Sequence, residues 1–125
     1  MSDIFAVLLN GVAQLEYDRK KPLTDYQIAY LDSMDEKMDA GIDLAGEIIS
    51  NPEIGQKTQF VTANLLHALQ SGDEGLASAL CTYLATRHPD IKQLKYEDDE
   101  GNVSIELIFD EEYVGQVAVE FGKLN

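Results

Sequence analysis

The strongest constraint on the fold is a change of hydrophobic period at Pro89. Before it, apolar residues recur every three or four positions, as in helices that bury one face. After it they alternate, as in strands with one covered face. Within the first part, Ile4, Val7, Leu8, Val12 and Leu15 predict a helix over about residues 3–18, with Ser2 or Asp3 as its cap and Gly11 as a weak point in its middle. Arg19, Lys20, Lys21 and Pro22 then predict its end, because cations favour a helix C-terminus and proline blocks continuation.

Thr24 with Gln27 three residues on forms a capping-box pattern, and Leu23 can staple against Ile28. A second helix is expected from Asp25 to about Ile49, with Leu31, Met34, Met38, Ile42, Ala45, Ile48 and Ile49 on one stripe and a bend or close helix contact at Gly41 and Gly46. Asn51-Pro52 opens a third helix carrying Ile54, Val61, Leu65 and Leu69, which ends near Ser71-Gly72. Ser71 or Asp73 caps a fourth through about His88, with Leu76, Leu80, Tyr83 and Leu84 inward.

Beyond Pro89, residues 91–97 read as a strand and 98–102 as a hairpin loop, followed by alternation through Val103, Ile105, Leu107 and Phe109 and again through Val117, Val119 and Phe121. The expected architecture is one α+β domain over residues 1–125. Four N-terminal helices (about 3–88) precede a three-stranded antiparallel β-meander (about 91–121) packed on them.

Charge is the second constraint. The formal net charge is −14, and it is concentrated. Residues 31–47 hold six acids against one lysine, and residues 97–112 hold eight acids and no base, so the other 92 residues are nearly neutral. Nucleic acid and anionic membrane are excluded as partners, since phosphate binding needs clustered Lys and Arg. On the expected second helix, Asp32, Asp35, Glu36, Asp39, Asp43 and Glu47 share one wedge of roughly 120° beside the apolar stripe. Like charges four apart repel by a few tenths of a kcal/mol per pair, and Asp43 and Glu47 oppose the helix dipole as well. Charged stripes usually face water and keep a protein soluble. The functional reading is a docking face for a basic surface on a protein partner, whose Lys and Arg relieve that repulsion.

Metal chemistry is poorly supported. One helix does not converge its own carboxylates, and neither His67 nor His88 follows a glutamate by three residues. If Gly101 were the sixth position of a calcium loop, the first and twelfth would be Tyr96 and Leu107, which supply no carboxylate. There is no Gly-rich phosphate loop, Cys-x-x-Cys, His-Glu-x-x-His or Gly-x-Ser-x-Gly. No cofactor is expected, and the chain reads as a non-enzymatic binding module.

The rival class is a small-molecule binder or small enzyme with a site between helices and sheet, built from Thr62, Asn64, His67, Cys81 and Tyr83. Phe60, Ala63 and His67 form a second apolar patch, suited to packing another helix or to a homodimer contact. Asp3 stands where a signal peptide would carry positive charge, and no apolar run nears the ~18 residues that span a bilayer. One cysteine requires no oxidising compartment, so a soluble cytoplasmic protein is expected.

Overall fold

In the computed structural model, which describes residues 4–113, Asn10 and Gly11 adopt φ of 49° and 80° and turn the chain back on itself. Both central residues of a two-residue type I′ hairpin need positive φ, which Asn and Gly tolerate best. The segment expected to be a first helix is therefore two strands, β1 (Ile4–Leu9) and β2 (Val12–Asp18), paired antiparallel. Their register skips at Val7/Leu8, which leaves Gln14 as the extra residue of a β-bulge.

The remaining elements follow in the order α1 (Asp25–Ala40), β3 (Ile42–Leu44), β4 (Glu47–Ile49), α2 (Ile54–Ser71), α3 (Glu74–Arg87), β5 (Gln93–Asp99) and β6 (Asn102–Ile108). The described residues thus form three helices and six strands. Four N-terminal helices followed by a three-stranded meander is not the architecture: the chain starts with strands, and its main sheet is mixed. That sheet has the order β2-β1-β5-β6, with β1 and β5 parallel and the outer pairs antiparallel. Residues 117–121, expected as a third meander strand, lie outside the described residues.

The chain divides into two compact units. The first comprises, of the described residues, 4–20 and 85–113; the second is Lys21–Leu84. In the first unit β1 is central and has neighbours on both sides, so Phe5, Ala6, Val7 and Leu8 are all buried. Such a strand shows a continuous apolar run instead of an alternation. Tyr113 closes one sheet face: it packs with Ala6 and Leu8, and its hydroxyl bonds the Glu16 carboxylate. Gln93 Nε2 donates to the Glu111 carbonyl at 2.9 Å and holds the same returning segment.

Arg19 does not end a first helix. Its Nε donates to the carbonyl of Ala85 at 3.1 Å, and its Nη2 donates to those of His88 (3.1 Å) and Ile91 (2.6 Å). The guanidinium also stacks 5.2 Å from the Phe5 ring centroid. It is thus a long-range cap on the end of α3, where orphan carbonyls and the negative dipole end favour a cation. Burial lowers the His88 imidazole below its ordinary 6.5, with Asp90 pulling the other way, and Arg19 brings a permanent positive charge to the cap.

In the second unit the expected long helix stops at Ala40. Gly41, at φ 147°, donates its N–H to the Met38 carbonyl, and the chain enters the β3–β4 ribbon. Ala45 and Gly46 (φ 53° and 87°) form that ribbon's two-residue turn. The Thr24 box is present: Gln27 N–H donates to Thr24 Oγ1 at 3.1 Å, and Thr24 N–H to Gln27 Oε1 at 2.9 Å. Gly72 ends α2 in the left-handed conformation, and Asp73 Oδ1 accepts from Leu76 N–H at the start of α3.

Two stability measurements check this account by urea unfolding. Ala45→Asn places a residue suited to positive φ at an exposed turn and should stabilise by about 0.5–1 kcal/mol. Arg19→Ala removes bonds to three carbonyls, of which that of His88 keeps the Ile91 N–H, and should cost about 2–3 kcal/mol.

Candidate functional site

The break at Gly41 disperses the acidic wedge. Asp32, Asp35, Glu36 and Asp39 lie on α1, whereas Asp43 is in β3 and Glu47 in β4. Asp43 has a local task, since its Oδ1 accepts the Gly46 N–H at 2.9 Å across the ribbon turn. Asp32, Glu36, Asp43 and Glu47 are exposed. A single straight flank of six carboxylates does not form.

Asp35 and Asp39 turn toward α2. Lys57 Nζ lies 3.3 Å from Asp35 Oδ1 and 2.9 Å from Asp39 Oδ1. The Tyr83 hydroxyl of α3 donates to the same Asp35 oxygen at 2.5 Å. One carboxylate therefore links all three helices. The side chains of Lys57 and Asp35 are 15% and 28% exposed, so their contact is shielded; Asp39, at 51%, is screened by solvent and contributes less. Asp39 chiefly, with Asp35, raises the Lys57 ammonium above its ordinary 10.5, against an opposing desolvation effect.

Of the groups considered for a small-molecule site, Thr62, Asn64 and Tyr83 are hydrogen-bonded within the second unit. Thr62 donates to the Gln59 carbonyl and Asn64 to that of Phe60, both in their own helix. Tyr83 is committed to Asp35, Cys81 is buried, and His67 is exposed. On the proposed second patch Phe60 is half-buried, with Ala63 and His67 exposed. Among the described residues no group of three or more His, Cys, Asp or Glu side chains is placed to hold a metal ion.

A different feature has the geometry of a binding site. An open groove of about 350 Å³ runs between α1 and α3. Tyr26, Gln27, Tyr30 and Leu31 form one wall, and Gly75, Ser78, Ala79 and Thr82 the other. Tyr26 and Tyr30, four apart, stand side by side on α1 and are 81% and 42% exposed. The second wall is made of small side chains at three- and four-residue spacing on the opposite side of α3 from Leu80 and Leu84. The lining carries no charge, but Asp25 precedes Tyr26, and Asp73 and Glu74 precede Gly75. The second unit as a whole has ten acids against three lysines. Sequence reasoning missed this groove, although the Tyr26/Tyr30 spacing and the small-residue stripe are both visible in the chain.

The helix-linking contacts can be weighed by a double-mutant cycle in urea. Tyr83→Phe and Lys57→Met should each cost about 1–2 kcal/mol, with a coupling of about 0.5–1 kcal/mol through Asp35. The pH dependence follows from the raised Lys57. Its stabilisation is fully present below the unfolded value of 10.5 and is lost as pH rises through the higher folded value, so Lys57→Met should lack that alkaline loss.

No protein-family model, curated protein or solved structure matches the chain.

Proposed function

We propose that the protein is a non-enzymatic binding module of the cytoplasm that takes a basic surface of a protein partner on its second unit. The observation that carries this is the charge imbalance of that unit, ten acids against three lysines. Of the three lysines in residues 21–84, Lys57 is spent on Asp35 and Asp39, while Asp32, Glu36, Asp43 and Glu47 remain exposed around α1 and the β3–β4 ribbon. Such a field steers a cationic partner and repels an anionic one. No helix of the described residues is long and apolar enough to cross a membrane.

The test is charge reversal at exposed positions of α1 and the ribbon. Asp32→Lys, Glu36→Lys and Glu47→Lys together leave the Lys57 contacts and the Asp43 turn intact. The native protein should capture a partner with a basic surface at low salt and release it as ionic strength rises, with a Debye length of ~10 Å at about 0.1 M. The triple variant, with an unchanged circular dichroism spectrum, should lose that partner at least about tenfold. Equal capture by native protein and variant would reject the acidic surface.

A further inference from the structure

We infer that the groove between α1 and α3 seats an arginine or lysine side chain of the partner protein, with its cation over the rings of Tyr26 and Tyr30. This rests on the proposed binding of a basic protein surface and adds to it a place and a mode of contact.

Three observations point to a cation. Two exposed tyrosines line the groove, and the negative quadrupole of an aromatic face attracts ammonium and guanidinium groups. The surrounding unit has ten acids against three lysines, so its field favours a positive occupant and opposes an anionic one. The lining offers acceptors without charge: Thr82 Oγ1 spends its proton on the Ser78 carbonyl at 2.9 Å and keeps its lone pairs to accept. A guanidinium with five N–H donors fits that combination of ring faces and hydroxyl oxygens.

The shape agrees. A volume of about 350 Å³ holds a long side chain and part of the backbone that carries it. Small residues at Gly75, Ser78 and Ala79 let such a chain approach α3 closely. Arg19 over the Phe5 ring, 5.2 Å from its centroid, is the same kind of contact made inside this protein.

The test uses the full chain and a short fluorescein-labelled peptide of arginine and alanine, read by fluorescence polarisation. A second peptide carries citrulline, a neutral isostere, in place of arginine. The arginine peptide should bind and weaken with salt, and the citrulline peptide should not bind. Tyr26→Ala removes a ring that is 81% exposed and that folding does not need, and should weaken binding about two- to fivefold. Ser78→Phe fills the groove from an exposed position and should weaken binding at least as much. Arginine binding unchanged in both variants overturns the groove and leaves the basic-partner reading standing. Equal binding of the two peptides overturns the cation as the recognised group. A native protein that binds neither peptide overturns both inferences.

Discussion

Asp35 is the joint on which the second unit depends. A phenol from α3 and an ammonium from α2 meet at one oxygen of this α1 carboxylate, so three helices are tied at one group. Tyr83 is 3% exposed, and a phenol buried to that extent needs a partner for its hydroxyl. Its bond to Asp35 sets α3 against α1 near the C-terminal part of both helices. The groove then lies in the turns before that joint, at Tyr26–Leu31 and Gly75–Thr82, where small side chains on α3 do not fill the space. The polar joint and the open groove are consequences of the same packing.

The acidic density of α1 is tolerable for related reasons. Asp35 and Asp39 are four residues apart and would repel, but Lys57 sits between them and converts the pair into two attractions. Asp32 and Glu36 are also four apart and are exposed, so their repulsion is moderated by water and salt. Asp43 is absorbed by the turn it caps. The six carboxylates therefore differ in what they do: some hold the unit together and others set its external field.

Much of this was legible in the chain, and the misses have particular causes. The Thr24 box, the Gly72 stop, the Asp73 start and the hairpin through Gly101 all rest on local chemistry that tertiary context did not override, whereas the division into helices before Pro89 and strands after it fails, since β1 to β4 precede it. The first strands were misread because Ile4, Val7 and Leu8 satisfy helical spacing as well as they fill a fully buried strand; a short apolar run does not decide between the two. Asn10-Gly11 was the deciding signal, since that pair is favoured in a two-residue hairpin and unfavourable inside a helix. The second helix was overextended in the same way: Ile42, Ile48 and Ile49 continue its stripe, but Gly41 and the Ala45-Gly46 turn convert that stripe into a ribbon. The groove was overlooked because small residues on the outer side of a helix look like solvent-facing filler until another helix is laid beside them.

Acidic residues and tyrosine rings would act on different stages of the proposed encounter. Exposed carboxylates such as Asp32 and Glu36 act at a distance set by the ionic atmosphere, so their contribution falls mainly on the rate of arrival. A ring face acts only at contact, where the cation has already shed part of its hydration, so Tyr26 and Tyr30 bear on how long the partner stays. Long-range charge also discriminates poorly among basic proteins, because any positive surface is drawn to it. A groove with two tyrosines on one wall and small side chains on the other would suit a single extended cation better than a bulkier group. Selectivity on this surface would therefore come from the uncharged lining, and the acids around it would set how often the lining is sampled.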